Sequence, residues 1–268
     1  MTGPRMTLRC AAATHPGLRR PANEDTVLAA HPVFLVADGM GGHAGGELAS
    51  RAVISAFREL VGKTWVTVQD ITAAVQRAAD RVECLGCGDG APGSTLAGAA
   101  SARRAGIACW LLFNIGDSRI YLMRSGQLRR ISVDHSTRTS SAGPRTRGGL
   151  IRAFGAGLER PVADQWLTPA HAGDRILVCS DGLSDEVAGE YLERVLRERS
   201  EPQEVVRRLV GKALEDGGRD NISVIVVDCL ETVVAEIDEL DDVVSLDEGE
   251  EETVSWIHED TIPDPEGN

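Results

Sequence analysis

Residues 33–50, VFLVADGMGGHAGGELAS, decide the fold. Val33–Ala37 is a short unbroken apolar run, the pattern of a fully buried strand, so Asp38 leaves the core at that strand's end. Gly39, Gly41, Gly42, Gly45 and Gly46 let the backbone approach a ligand closely and take up positive φ where needed. From Glu47 the period changes, and Ala49, Val53, Ala56, Phe57, Leu60 and Val61 recur on one helical face. An Asp-Gly after a strand is by itself most often a turn, because both residues suit turn geometry. The spacing Gly39-x-Gly41-x-x-Ala44 also imitates a dinucleotide-binding loop. Against that, Asp38 would repel a pyrophosphate, and a second helix follows the first where that fold needs a strand.

Upstream, Thr7–Thr14 and Thr26–Ala30 read as strands separated by a polar loop that carries Arg20, Glu24 and Asp25. Downstream, Thr67-x-x-Asp70 resembles a capping box and opens a second helix, with Val68, Ile71, Val75, Ala78, Val82 and Leu85 at three- and four-residue steps. Strands follow at 94–102, 107–115, 119–123 and 127–131, separated by turn signals at Gly106, Gly116-Asp117 and Ser125-Gly126. Spacing this tight implies antiparallel hairpins. Residues 134–155, rich in Ser, Thr, Arg and Gly, read as a mobile loop. Arg175–Ser180 is another buried strand, which delivers Asp181-Gly182; a helix is expected over 184–199, and a second one capped by Ser200-Glu-Pro-Gln203. Asp220-Asn221 then introduces a last strand over 222–227. Runs of strands and paired helices without βαβ alternation imply an α+β layered fold, two antiparallel sheets with helix pairs outside.

The chain has 268 residues, 42% hydrophobic and 4% aromatic, enough for a sizeable aliphatic core. The N-terminus lacks the apolar stretch of a signal peptide, and no apolar run approaches the roughly 18 residues of a membrane span, so a cytoplasmic protein is expected. Six cysteines at 10, 84, 87, 109, 179 and 229 show no disulfide regularity. Cys84-x-x-Cys87 lacks the second pair that a zinc site needs. The net charge of −13 is localised: of 41 acids, fifteen fall in residues 229–268, which contain no Lys or Arg, leaving 26 acids against 28 bases before them. A globular domain over residues 1–230 and a disordered acidic tail over 231–268 are therefore expected. The near-neutral domain carries no nucleic-acid footprint.

Four acids share one situation. Asp38 and Asp181 follow strands, Asp117 lies between two, and Asp220 precedes one; each has a glycine next to it or close by. Strands of a packed sandwich end at common edges, where these carboxylates can converge. Unpaired they would repel one another, and a hard divalent cation with oxygen ligands removes that penalty. Such a cluster suits phosphate-ester hydrolysis, in which two cations can bridge one water, lower its pKa and aim it in line at phosphorus. Arg20 adds a guanidinium fork that matches phosphate oxygens and does not titrate.

These residues carry a resemblance. Arg20-x-x-Asn23-Glu24-Asp25, Val36-Ala-Asp38-Gly-Met-Gly-Gly42, Gly93-Ser-Thr95, Asn114-x-Gly-Asp-Ser-Arg119, Asp134-His-Ser136, Ser180-Asp-Gly-Leu183 and Asp220-Asn221 resemble the metal-dependent type-2C serine/threonine phosphatases, above all the bacterial members that oppose Ser/Thr protein kinases. The match covers nearly all of residues 7–228 in family order. The resemblance implies a four-layer αββα sandwich and a pair of Mn2+ or Mg2+ ions bridged by Asp38 and a water. It implies that the Gly39 carbonyl completes one site and Asp181 and Asp220 the other, with Glu24 acting through water and Asp25 and Asn221 in support. Asp117 and Asp181 would offer a weaker third site, and Arg20 would hold the substrate phosphate. The implied partners are phosphorylated proteins and a Ser/Thr protein kinase, met by a monomer; a non-catalytic regulator or phosphoprotein-binding module of the same fold is the alternative. Two departures stand out. Met40 cannot donate a proton, which leaves metal-bound water or another group such as His43 for that task, and the flap between His135 and Gly155 is short. In the tail, Thr253 and Thr261 lie in acidic contexts that suit kinases, and the tail's charge complements Arg138, Arg145, Arg147 and Arg152 in the flap.

Overall fold

The computed structural model describes residues 5–41, 44–86, 90–137, 149–198 and 200–233, with the backbone of 255 and 256. In chain order the strands and helices are β1 (Arg5–His15), β2 (Thr26–Ala30), β3 (Val33–Ala37), β4 (Gly39–Met40), α1 (Ala44–Phe57), α2 (Val68–Glu83), β5 (Gly93–Ser94), β6 (Leu96–Arg104) and β7 (Ile107–Ile115). There follow β8 (Arg119–Arg124), β9 (Gln127–Arg130), β10 (Phe154–Gly155), β11 (Asp164–Pro169), β12 (Arg175–Cys179), α3 (Asp181–Ser184), α4 (Gly189–Arg197), α5 (Pro202–Glu215), β13 (Ile222–Val233) and β14 (Ser255–Trp256). One sheet has the order β1-β13-β12-β8-β9 and the other β14-β11-β7-β6-β3-β2, while β10, β5 and β4 form a small ribbon beside the cavity described below. Every pairing is antiparallel except β11 with β14.

The unbroken apolar run of β3 follows from its place between two cores. Val33, Leu35 and Ala37 face α1 and α2, with Val53, Phe57, Ile71 and Phe113. Phe34 and Val36 face the other sheet, with Trp110, Leu112, Ile176 and Ile225. β12 repeats the arrangement, since Ile176 and Val178 enter the inter-sheet core and Leu177 and Cys179 meet α4 and α5. Strands buried on both faces lose the polar alternation of a surface sheet, and truncating one such side chain, as in Leu35→Ala, costs about 2–5 kcal/mol. The layers are thus helix, sheet, sheet, helix, the expected αββα sandwich.

The Thr67–Asp70 capping box is present, with each side chain bonded to the other's backbone N–H. Several expectations need correction. α1 starts at Ala44, ahead of Glu47, and so includes Gly45 and Gly46. A Cβ at Gly39 would lie 2.1 Å from the Gly46 carbonyl oxygen, and one at Gly46 only 2.9 Å from Glu24 Cδ. The first turn therefore accepts poor helix formers because only glycine admits this approach. The helix expected over 184–199 is two pieces, α3 and α4, joined by residues 185–188. Glu201, not Ser200, is the N-cap of α5; its side chain makes no capping bond, and Pro202 fills the first turn. The last strand reaches Val233, pairing Arg5 with Val233, so the boundary expected at 230 falls inside it. In the tail, the backbone at Ser255–Trp256 runs parallel beside Trp166–Leu167; Thr253, Thr261 and the rest of that segment lie outside the described residues. Among the described residues no helix is long and apolar enough to cross a membrane.

Candidate active site

β3 and β12 end on the same side of the sandwich, where the β7–β8 turn and the start of β13 also lie. The four acids that the sequence singled out, Asp38, Asp117, Asp181 and Asp220, all line one cavity of about 320 Å³ there. Arg20, Glu24, Gly39 and Asn221 line it too. Asp25 sits beneath, 7% exposed. His43 lies outside the described residues, as do Arg138, Arg145 and Arg147 of the flap and Cys87 of the Cys84-x-x-Cys87 pair.

Backbone contacts set the acids in place. The Asp38 N–H donates to Thr95 Oγ1 at 3.1 Å, and the Thr95 N–H donates to the Asp38 carbonyl at 2.9 Å. Thr95 Oγ1 is also 2.7 Å from Ser118 Oγ, which ties the Asp38 loop to the turn bearing Asp117. That turn needs glycine, because Gly116 has φ 101° and a Cβ there would come 2.6 Å from Thr95 Cγ2. Asn221 staples the loop that carries Arg20 and Glu24: Oδ1 accepts from the Glu24 N–H at 2.8 Å, and Nδ2 donates to the Pro16 and Ala22 carbonyls at 3.0 and 2.9 Å.

The cluster is electrostatically costly. Burial raises the Asp38 pKa well above the usual carboxylate range, and the charges of Asp25, Asp181 and Asp117 raise it further. Burial, then Asp181 and Asp134, push Asp117 up to about 7. Burial takes Asp25 to about 6, partly offset by the nearby Ser223 and Ser180 hydroxyls. Glu24 Oε1 and both carboxylate oxygens of Asp25 are buried without a hydrogen-bond partner among the described residues. Buried oxygens that lack donors, beside acids that cannot all ionise cheaply, are of the chemical kind that a hard divalent cation takes as ligands. As the side chains stand, no three His, Cys, Asp or Glu among the described residues are close enough to grip one ion.

At one corner of the cavity Arg20 engages a member of the cluster. Its guanidinium forks onto Asp220, with Nε 2.8 Å from Oδ1 and Nη2 2.9 Å from Oδ2. The group expected to hold phosphate and a carboxylate expected to hold metal are thus engaged with each other. Thr95, Asp185 and His135 are parts of the surroundings to which the residue-by-residue reading gave no role. Asp185 lines the cavity four residues after Asp181, a spacing that places two carboxylates on one face of a helical turn and was open to inspection. Nothing local marks Thr95, whose position depends on β5 and the β7–β8 turn.

Comparison with known proteins agrees with this fold. The sequence model of the family Protein phosphatase 2C matches residues 22–216. The serine/threonine protein phosphatase PstP of Mycobacterium tuberculosis is 35% identical over 247 residues, covering 84% of this chain and 46% of the relative. The serine/threonine phosphatase stp of Listeria monocytogenes is 29% identical over 221 residues, covering 74% of this chain and 84% of the relative. The crystal structure of the PstP catalytic domain in complex with two manganese ions superposes with a TM-score of 0.73 at 35% identity, covering 84% of this chain and all of that one. The chain spans about half the length of the mycobacterial relative. Because the family model covers residues 22–216 and the mycobacterial relative is 35% identical over 84% of the chain, the chain belongs to the protein phosphatase 2C family.

Proposed function

We propose that the chain hydrolyses phosphoserine and phosphothreonine on proteins, reversing the action of a Ser/Thr protein kinase, as a metal-dependent phosphatase acting as a monomer in the cytoplasm. The observation that carries this reading is the convergence of Asp38, Asp117, Asp181 and Asp220 with Arg20 and Glu24 around one cavity. Asp38, the Gly39 carbonyl, Asp181 and Asp220 are the groups that would hold two divalent cations, Mn2+ or Mg2+, with Glu24 acting through water and Asp117 serving a weaker third position. Such ions supply the Lewis acidity that readies water for in-line attack at phosphorus.

The chain's own residues do the rest. Arg20, released from Asp220, turns its fork to the phosphate oxygens and orients the ester. Asn221 keeps the Arg20 loop at the rim through its three bonds to residues 16–24. Asp25, whose charge acts on Asp38, adds negative charge that would favour a bound cation. As the ester P–O bond breaks, the serine oxygen must gain a proton that Met40 cannot give, so it comes from water in the cavity or from His43. A non-catalytic regulator of the same fold would have no use for Asp38, Asp181 and Asp220 together. Turnover of p-nitrophenyl phosphate and of a phosphothreonine peptide, with Mn2+ and with chelator, separates the two: absence of both activities under Mn2+ rejects the phosphatase reading.

A further inference from the structure

We infer that His135 is a positioning residue for Asp117, holding from behind the turn that carries this carboxylate into the cavity. The inference rests on the proposed role of Asp117 as a cation ligand. Gly116, immediately before Asp117, donates its N–H to His135 Nδ1 at 3.1 Å and accepts the His135 N–H on its carbonyl at 3.0 Å. Both backbone groups of Gly116 thus meet His135, itself 6% exposed, and the carbonyl also accepts from Asn114 Nδ2 at 3.1 Å. Because Nδ1 accepts, the ring proton resides on Nε2, which donates to Asp164 Oδ2 at 2.9 Å. Arg152 Nη1 approaches Nε2 at 3.2 Å, but that nitrogen is already protonated, and the arginine's hydrogen bond goes to Asp164 Oδ1 at 2.5 Å. Asp164 therefore sets the tautomer, and Arg152 fixes Asp164.

None of these three side chains is among those lining the cavity. Their effect reaches it through the backbone. The ring backs the Gly116 turn, whose other side meets Thr95, and Thr95 links Ser118 to the Asp38 N–H. One run of bonds therefore joins Asp164, His135, the Asp117 turn and the Asp38 loop. His135 also carries the flap's base: its carbonyl accepts the Ile151 N–H at 2.9 Å, and the next residue, Ser136, bridges to Leu150, both lining the cavity. Outer partners that orient ligands in this way change metal affinity by about 10- to 100-fold when removed.

The test uses the full chain. Calorimetric titration of the metal-free protein with MnCl2 should resolve tight binding and a weaker step; His135→Ala should weaken the weaker step about 10- to 100-fold and leave the tight binding unchanged. Amide exchange at Gly116 should accelerate in the same variant. Asp164→Ala, which removes the partner of His135 Nε2 and releases Arg152 but keeps the ring against Gly116, should move both readouts the same way by less. Nitrogen NMR of the native protein should show an unprotonated Nδ1 at His135. Unchanged weak-step affinity with unchanged Gly116 exchange overturns the inference, as does a parallel loss at every step, or a protonated Nδ1. If His135→Ala does not fold, the Asp164→Ala titration and the native spectrum decide. A native protein with tight binding but no weaker step also overturns it while sparing the phosphatase reading; one that binds no Mn2+ refutes that reading instead.

Discussion

Replacing Arg20 by alanine should have opposite effects on the two ligands of the cavity. The guanidinium makes two charge-assisted bonds to Asp220, 2.8 and 2.9 Å long. Such bonds contribute about 1.5–3 kcal/mol where sheltered, whereas exposed ion pairs contribute about 0.2–1 kcal/mol. With the arginine side chain 37% and the aspartate 18% exposed, solvent screening takes the pair to about 1–2 kcal/mol. A cation that uses Asp220 must first break this pair, so Arg20→Ala should tighten Mn2+ binding to one class of site by about 5- to 30-fold, at 1.36 kcal/mol per tenfold. Inorganic phosphate, which loses its fork, should bind Mn2+-loaded Arg20→Ala about 10- to 100-fold more weakly. Arg20→Lys keeps the charge but not the fork, and should fall between native and alanine in both titrations. Calorimetry with MnCl2, then with phosphate as an inhibitor of turnover, measures both. Weaker or unchanged Mn2+ binding in Arg20→Ala would refute the competition; unchanged phosphate affinity would mean that Arg20 does not reach the substrate.

Asp38→Asn or Asp181→Ala should abolish Mn2+-dependent turnover while unfolding stays cooperative in calorimetry, and full activity in either variant rejects the site. Burial and neighbouring carboxylates push Asp117 up to about 7 and Asp25 to about 6, against near 4 once unfolded, so with no cation bound the native state holds protons that the unfolded chain has released. Stability should therefore fall as pH rises from about 4 to 7, each group contributing at most about 1.4 kcal/mol per pH unit, and saturating Mn2+ should remove the slope; a metal-free Tm that climbs over this range contradicts the sign. If the acidic tail competes for the arginine-bearing flap, a chain ending after Val233 should exceed the full chain in kcat/KM on a phosphopeptide at low salt, the difference fading once exposed charges are screened beyond about 8 Å. Equal values at every salt concentration, before and after kinase treatment, leave the tail without that role.

What the sequence made legible was whatever a strand or a helix turn dictates locally. Val33–Ala37 announces burial on both sides, and so places Asp38 at a strand's end; Arg175–Cys179 does the same for Asp181. β11 escaped because Asp164–Pro169 has no apolar run and no clean alternation: Gln165 and Thr168 are buried polar residues, and the segment is a strand through pairing with β7, Asp164 against Asn114. The break between α3 and α4 escaped because apolar spacing continues through it, with Val187 buried in the same core as Leu183 and Leu192. The Arg20–Asp220 pair joins residues 200 apart, and the His135–Gly116 bond joins two turns; neither has any periodic trace.

The same division explains why the site can be held at all. Four or five mutually repelling carboxylates cannot fix one another, so what fixes them has to be indifferent to charge. Here that is backbone. Asp38 is held through its own N–H and C=O by Thr95, and the Asp117 turn through Gly116. Gly39 and Gly46 bring two backbones to a separation that no side chain admits. With the Asp38 and Asp117 loops held by backbone, the charge of their carboxylates can be neutralised by protons or by cations without loosening the sandwich. A substitution at Thr95 or Gly116 should therefore cost fold stability and site geometry together, whereas one at Asp38 should relieve repulsion and cost only the site.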